Sequence, residues 1–205
     1  MTPLVLATGN PDKLRELSPF FANLDLELVA VRALVPGWEV EETGATLEAN
    51  ATLKARAAVT ATRLPAVADD TGLFVDALGG APGVRSSRFA GEGATYADNV
   101  ARLLAELEPV PAEERGARFR TVAALARPDG ALERFEGVLE GRILRAPRGK
   151  GGFGYDPVFL VEERGRTLAE LPLEEKNRIS HRAGAFRAAS AWLAERPGWL
   201  KSAGV

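Results

Sequence analysis

A short apolar run in the first half of the chain ends abruptly in two adjacent carboxylates. Residues 65–72 read PAVADDTG, so Asp69 and Asp70 directly follow a Val flanked by two Ala. If residues 66–68 form a buried strand, both Asp emerge at its carboxyl end, where like charges repel and need a cation, a proton-transfer task or hydrogen bonds. The run therefore predicts a buried strand that leads into an acidic site, and metal-assisted chemistry is the first hypothesis.

Two other interpretations of Asp69 and Asp70 stay open at this point. They can begin a turn before Gly72, because Asp accepts backbone hydrogen bonds and glycine permits a positive φ. An apolar run followed by Asp-Thr-Gly is also typical of half an aspartic-protease site, which needs a second carboxylate from a repeated half or a homodimer. The chain contains no second Asp-Thr-Gly, which argues against the protease.

Length and composition limit the classes of protein that this chain can be. With 205 residues, 46% of them hydrophobic, it can bury a substantial core, and we expect a single domain over residues 1–205. The formal net charge of −2 leaves no basic excess for a nucleic-acid backbone. No apolar run is long enough to span a bilayer, no signal peptide is recognisable and cysteine is absent. We therefore expect a cytoplasmic protein that binds neither nucleic acid nor a membrane.

Lysine is rare in this chain, and its positions are not scattered. Only five of the 26 basic residues are Lys, so most of the chain favours arginine. A site shaped around a compact ammonium does not accept a planar guanidinium, so retained lysines indicate function. Three short segments hold Lys13, Lys54 and Lys176 together with Asn10, Asn50, Asn177 and the sole histidine, His181.

Hydrophobic periodicity and turn residues predict a mixture of strands and helices. The predicted strands are 3–8, 26–31, 65–69, 73–77, 84–89, 118–127, 131–144 and 157–161, and the predicted helices are 11–22, 46–63, 95–107 and one that begins near residue 182. Gly72 is expected to let the chain turn away after the two carboxylates. Because no strict βαβ repeat is present, we expect an α/β fold with a mixed, partly antiparallel central sheet flanked by helices.

The turn after the first predicted strand has the outline of an anion site. Residues 8–13 (TGNPDK) place a glycine in the turn and a proline where the first helical residue should lie. The free N–H groups and positive dipole end of a helix N-terminus suit phosphate, and Lys13 adds a full charge one turn inside. Ordinary capping would explain Asn10 and Pro11 but requires neither Thr8 nor Lys13.

Residues 41–54 offer a carboxylate, an amide and an ammonium. Asn50 and Lys54 are four residues apart on a predicted helix, so they share a face that either points into a site or forms a solvated stripe. Glu42 is a candidate metal ligand, since a hard divalent cation takes carboxylate oxygens and leaves other positions to water and substrate phosphates.

Two later segments offer an aromatic ring and a group of hydrogen-bond donors. Residues 149–157 (GKGGFGYDP) contain four glycines that let the backbone approach a ligand, and Phe153 can stack on a base; a tight array of turns is the alternative. Residues 174–182 (EEKNRISHR) bring together an ammonium, an imidazole and a guanidinium. These donors suit a phosphate or the keto oxygen of a base, although a lone histidine is more often structural.

With these motifs in this order, the chain resembles the inosine/xanthosine triphosphate pyrophosphatase family, whose members remove deaminated purine nucleotides. The resemblance spans nearly the whole chain except about the last ten residues, and Thr71 stands where serine is common in the family. It implies two lobes with the active site in the cleft between them, and a homodimer. The motifs that carry it are residues 8–13, Glu42-Thr43-Gly44 with Asn50 and Lys54, residues 68–73 (ADDTGL), 79–83 (GGAPG), 151–157 (GGFGYDP) and 180–182 (SHR).

The resemblance also implies Mg²⁺-dependent hydrolysis between the α- and β-phosphates of a nucleoside triphosphate. Asp70 would be the general base, Asp69 would support it, Lys54 would belong to the same catalytic group, and Glu42 and Asp70 would hold the metal. The residues implied to bind substrate are Thr8, Gly9, Asn10, Lys13, Asn50, Thr71, Phe153, Gly154, Tyr155, Asp156, Lys176, His181 and Arg182.

The resemblance implies that selection of the base falls to Phe153, Lys176, His181 and Arg182. Hypoxanthine and xanthine carry an oxygen at purine position 6 where adenine carries an amino group, and a mismatched buried donor costs about 1–3 kcal/mol. The resemblance thus implies ITP, dITP and XTP as the substrates. A Maf-like pyrophosphatase for other modified nucleotides and a non-catalytic nucleotide sensor are the alternatives, and the acidic cluster argues against the sensor.

Overall fold

An open mixed sheet flanked by helices is the framework of the molecule. The computed structural model describes residues 1–9 and 11–201, without the side chains of residues 11 and 12. The strands are β1 (Thr2–Leu6), β2 (Leu26–Ala30), β3 (Ala66–Val75), β4 (Pro82–Gly83), β5 (Gly116–Ala126), β6 (Leu132–Ile143), β7 (Phe159–Val161) and β8 (Arg166–Thr167), in the order β2-β1-β3-β5-β6-β7-β8 with β4 paired to β3. β1 is parallel to β2 and β3, whereas the pairs β3–β4, β6–β7 and β7–β8 are antiparallel. The predicted fold class is confirmed.

The helices lie close to the predicted positions, with two short additions. They are α1 (Pro11–Phe21), α2 (Val31–Leu34), α3 (Leu47–Thr62), α4 (Tyr96–Glu106), α5 (Leu173–Ile179) and α6 (His181–Ala194), of which α2 and α5 were not predicted. α3 begins after Thr46, whose hydroxyl accepts a hydrogen bond from the Ala49 N–H, and ends at Arg63 in the left-handed conformation. None of the helices in the described residues has the length and apolar composition of a membrane span.

The prediction of two strands separated by a turn at Gly72 is wrong. β3 is one continuous strand that runs from Ala66 through both carboxylates to Val75. A Cβ atom at Gly72 would lie 2.5 Å from the carbonyl oxygen of Gly83. The glycine therefore allows β4 to pack closely against β3, and the interpretation of Asp69 and Asp70 as the start of a turn is wrong as well.

The predicted strand at 84–89 is also wrong, because this segment contains a short 3₁₀ turn at Ser86–Arg88. The hydroxyl of Ser86 accepts a hydrogen bond from the Leu73 N–H at 2.8 Å and donates one to the Gly83 carbonyl at 2.6 Å. Such local side-chain bonds to the backbone compete with a strand ladder.

The chain divides into two compact units, each with its own apolar core. The first unit comprises residues 1–70, 121–137 and the chain from residue 182 onward, and the second comprises residues 71–120 and 138–181. In the first core, Phe186 packs edge-on against Phe21. In the second, Phe119 and Phe159 lie with their ring centroids 4.7 Å apart.

Candidate active site

Asp69, a residue of the first unit, accepts hydrogen bonds from two cationic side chains. The Lys13 ammonium donates a hydrogen bond to its Oδ1 at 2.7 Å, and Nε of Arg182 donates to its Oδ2 at 3.3 Å. Burial by itself raises the pKa of the Asp69 carboxyl, but the charges of Lys13 and Arg182 outweigh burial and keep the pKa well below its usual range. Burial lowers the pKa of Lys13 despite this contact. Asp69 is therefore a fixed negative charge that orients two cations.

Asp70 has the opposite electrostatic character. Its Oδ1 accepts a hydrogen bond from the Lys54 ammonium at 2.9 Å, and its Oδ2 accepts one from the Asn50 amide at 3.2 Å. Burial raises the pKa of Asp70, and the opposing effect of Lys54 does not cancel it. A carboxylate with a raised pKa accepts a proton more readily, which is the property that a general base needs.

The Lys54 ammonium lies between two carboxylates. It donates to Oε1 of Glu42 at 2.8 Å as well as to Asp70. Burial by itself lowers the pKa of Lys54, but the charges of Asp70, Asp69 and Glu42 outweigh burial and raise the pKa, so the ammonium stays charged. Asn50 is fixed in turn, because its Oδ1 accepts a hydrogen bond from the Gly44 N–H at 2.7 Å. A Cβ atom at Gly44 would lie 2.5 Å from that oxygen, which explains the glycine of the Glu42-Thr43-Gly44 motif.

Glu42 and Asp70 fit a hard divalent cation only in part. The Lys54 ammonium contacts one oxygen of each carboxylate, so a single cation close to the position of that ammonium can contact both. No group of three or more His, Asp or Glu side chains suited to a metal ion occurs among the residues that the structure describes. Two carboxylates with water and phosphate oxygens in the other positions is the arrangement that Mg²⁺ commonly adopts.

A cavity of about 270 Å³ lies beside these charges in the first unit. Its position follows from the sheet, because the carboxyl ends of the parallel strands β1 and β2 meet at one edge. Sequence reasoning missed Arg32 and Trp38, although their place just after β2 was a usable signal. The lining residues are Ala7, Thr8, Gly9, Lys13, Arg32, Trp38, Glu39, Val40, Glu42, Lys54 and Asp69.

A second cluster, in the second unit, is built around Asp156. Its Oδ2 accepts hydrogen bonds from the Lys176 ammonium at 2.5 Å and from the Phe153 N–H at 2.9 Å. The same ammonium lies 4.8 Å from the centre of the Phe153 ring, which is 44% exposed. The cluster therefore presents a cation and an aromatic face together, held by one buried carboxylate.

His181 and Tyr155 are more enclosed than the predicted binding roles suggest. The imidazole of His181 is buried and stacks on Phe119, with centroids 4.7 Å apart and planes at 20°. The Tyr155 hydroxyl donates to the Ser86 carbonyl at 2.9 Å, and the ring belongs to the core of the second unit. Burial raises the pKa of Tyr155, so its phenol stays neutral.

The remaining predicted residues divide between the two units. Arg182 lies in the first unit, where it contacts Asp69 and also donates to Glu16 at 3.3 Å. Thr71 is part of β3, and Gly154 adopts a φ of +62° in the glycine-rich loop. Asn10 lies outside the described residues.

The chain is similar to one family of known proteins in both sequence and fold. The model of the Ham1 family matches residues 4–192. A dITP/XTP pyrophosphatase of Geobacter sulfurreducens is 52% identical over 199 residues, which cover 97% of this chain and 98% of that protein. A dITP/XTP pyrophosphatase of Thermus thermophilus is 52% identical over 185 residues, which cover 90% and 88% respectively. The solved structure of a HAM1 protein from Coxiella burnetii aligns with a TM-score of 0.89 and 45% identity, over 95% of this chain and all of that chain.

Proposed function

This chain belongs to the Ham1 family, and we propose that it hydrolyses non-canonical purine nucleoside triphosphates to the nucleoside monophosphate and pyrophosphate. The substrates are dITP, XTP and ITP. The observation that carries this proposal is the contact of Asp70, a buried carboxylate with a raised pKa, with the Lys54 ammonium, which lines the cavity of the first unit. The names of the relatives support the substrate class.

The reaction needs a base, a polarised phosphate chain and compensation of negative charge. A carboxylate oxygen of Asp70 takes the proton of the attacking water, and Lys54 stabilises the carboxylate before the transfer. Lys13 and the backbone of the turn at Thr8 and Gly9 hold phosphate oxygens. Mg²⁺, when bound by Glu42 and Asp70, supplies further positive charge to the phosphate oxygens.

The second cluster is proposed to select the base. Phe153 offers a ring face for stacking, and the Lys176 ammonium offers a fixed donor. A donor in this position pairs with the 6-oxygen of hypoxanthine or xanthine and opposes the 6-amino group of adenine, which costs about 1–3 kcal/mol. Gly154, Tyr155 and Asp156 shape the loop, and His181 supplies a further polar edge.

We also propose that the protein is a homodimer, that it acts on free nucleotides in the cytoplasm, and that it binds neither nucleic acid nor membranes. The family resemblance supports the dimer, and the balanced charge supports the absence of a nucleic-acid partner. Sedimentation equilibrium is the measurement for the dimer, and a monomer at micromolar concentration would contradict it.

Product analysis tests the proposed reaction directly. The protein is incubated with Mg²⁺ and equal concentrations of XTP, dITP, ITP, ATP and GTP, and the products are separated. We expect pyrophosphate and monophosphate from the first three, with far slower turnover of ATP and GTP. Orthophosphate as the first product, or equal rates on ATP, would refute the proposal. Faster turnover of modified pyrimidine triphosphates would favour the Maf-like alternative.

A further inference from the structure

The guanidinium of Arg32 lies directly over the turn that follows β1. Its Nη1 donates to the Gly9 carbonyl at 3.3 Å, and its Nε donates to the Trp38 carbonyl at 3.2 Å. A Cβ atom at Gly9 would lie only 3.0 Å from Nη2 of Arg32. Gly9 therefore allows the guanidinium to reach the wall of the 270 Å³ cavity, which both residues line.

The cations that line this cavity differ in how their charge is compensated. Lys13 contacts buried Asp69, and Lys54 contacts Asp70. Arg32 is held by neutral carbonyl groups and by Glu39, at 3.5 Å, whose side chain is 83% exposed.

An exposed ion pair such as that of Arg32 with Glu39 is strongly screened by water. Among the described residues that line the cavity, Arg32 is thus the cation whose charge no buried carboxylate offsets. A phosphate chain that enters the cavity meets this charge without first displacing a strong partner.

The shape of the group also fits phosphate. A guanidinium presents a planar fork of N–H donors that matches two phosphate oxygens, and the contacts to backbone carbonyls fix the plane of the fork before the ligand arrives. Lys54 contacts the proposed base Asp70 and so marks the end of the site at which the bond breaks. Arg32 contacts Gly9 and Trp38 instead.

We propose that Arg32 binds the phosphates that leave as pyrophosphate. This inference rests on the proposed function, because it assigns Arg32 to one end of the triphosphate. It predicts that the affinity for pyrophosphate depends on Arg32, whereas the affinity for the nucleoside monophosphate does not.

Calorimetric titration separates these two affinities. Inorganic pyrophosphate and IMP are each titrated, with Mg²⁺ present, into the wild-type protein and the variants Arg32→Ala, Arg32→Lys and Glu39→Gln. We expect Arg32→Ala to weaken pyrophosphate binding roughly tenfold or more, to raise the KM for XTP by a similar factor, and to leave the Kd for IMP unchanged. Arg32→Lys should restore part of the affinity, and Glu39→Gln, the control that removes only the exposed partner of Arg32, should bind pyrophosphate at least as tightly as the wild type.

The dependence of Kd on salt distinguishes a charge contact from loop support. Loss of one phosphate contact lowers the salt dependence of pyrophosphate binding in Arg32→Ala, and Arg32→Lys restores it. Equal losses of IMP and pyrophosphate affinity in Arg32→Ala and Arg32→Lys, with unchanged salt dependence, would show a structural role and overturn the inference.

The two proposals fail separately. If the wild type releases pyrophosphate from XTP while Arg32→Ala keeps its pyrophosphate affinity and its KM, the assignment of Arg32 is wrong and the function stands. If Arg32→Ala loses pyrophosphate affinity but the wild type does not cleave XTP, the phosphate contact stands and the proposed function is wrong.

Discussion

Asp69 and Asp70 are neighbours in the sequence and differ in their acid–base properties. Successive side chains of a strand point to opposite faces of the sheet, so each carboxylate meets different partners. Asp69 meets Lys13 and Arg182, which keep its pKa low, and Asp70 meets Lys54 and Asn50, which leave its pKa raised by burial. Because one continuous strand carries both residues, Asp69 stays a fixed negative charge while Asp70 is the proposed base.

The variant Asp70→Asn tests the proposed base. The amide keeps the size of the carboxyl group but cannot take a proton, so we expect turnover of XTP to fall by about 10²–10⁴-fold. Binding of XTP, measured by calorimetry, should fall much less. Asp25→Asn, which changes an exposed carboxylate, is the matched control and should keep wild-type turnover. Unchanged turnover of Asp70→Asn would refute the assignment.

The depressed pKa of Asp69 predicts a loss of stability in acid. Because the folded-state pKa lies below the ordinary value of 3.8, the contribution to the free energy of unfolding is fully present above that value and is lost progressively as the pH falls from it towards the lower folded-state pKa. Urea unfolding of the wild type and Asp69→Asn, between about pH 6 and about pH 3, measures this contribution. The stability difference between the two proteins should shrink towards low pH, and a constant difference would contradict the prediction.

The glycine-rich loop acts through its contact with Asp156. Gly152 has a φ of +71°, and a Cβ atom there would lie 2.1 Å from Oδ2 of Asp156. That oxygen accepts the hydrogen bonds from Phe153 and Lys176. The loop conformation therefore fixes the carboxylate that orients the proposed base-binding groups.

Gly152→Ala should damage both stability and base binding. We expect about 1–2 kcal/mol of backbone strain, a further loss of about 1–3 kcal/mol as Asp156 is displaced, and a higher KM for XTP. Gly165→Ala is the matched control, since Gly165 has a φ of +62° and nothing lies within 4 Å of the added Cβ. Equal effects of the two substitutions on unfolding in urea would show that the contact with Asp156 is unimportant.

Three strands connect the two units along the chain. β3, β5 and β6 each supply residues to both units. One half of a strand does not unfold easily while the other half stays folded. We therefore expect the two units to unfold together, as the prediction of a single domain over residues 1–205 requires.

Substitutions in the two cores test this cooperativity. Phe186→Ala in the first core and Phe159→Ala in the second should each lower the free energy of unfolding by about 3–5 kcal/mol. Each should shift one common transition, seen alike by circular dichroism and tryptophan fluorescence. Val138→Ala, at a half-exposed position of β6, is the control and should change stability little. Two transitions, of which each substitution shifts only one, would contradict the prediction.

Predictions from the sequence were correct where local chemistry decides the structure. The predicted helix at 46–63 agrees with α3 (Leu47–Thr62), and the spacing of Asn50 and Lys54 predicted a shared face, which is buried. Prediction failed at Gly72 and Ser86, because the approach of Gly83 to Gly72 and the hydrogen bond from Leu73 to Ser86 join segments whose proximity no local pattern reveals.

The chemical groups of this protein can be read from the residues alone: an acidic pair at a strand, a few lysines among many arginines, and glycine-rich turns. Which of these groups meet depends on the folded chain. Lys13 reaches Asp69 across 56 residues and Arg182 reaches it across 113, and Arg32 joins the cavity because β2 lies beside β1. Side-chain chemistry is a property of each residue, whereas charge compensation and pKa depend on burial and on distances that strand order sets.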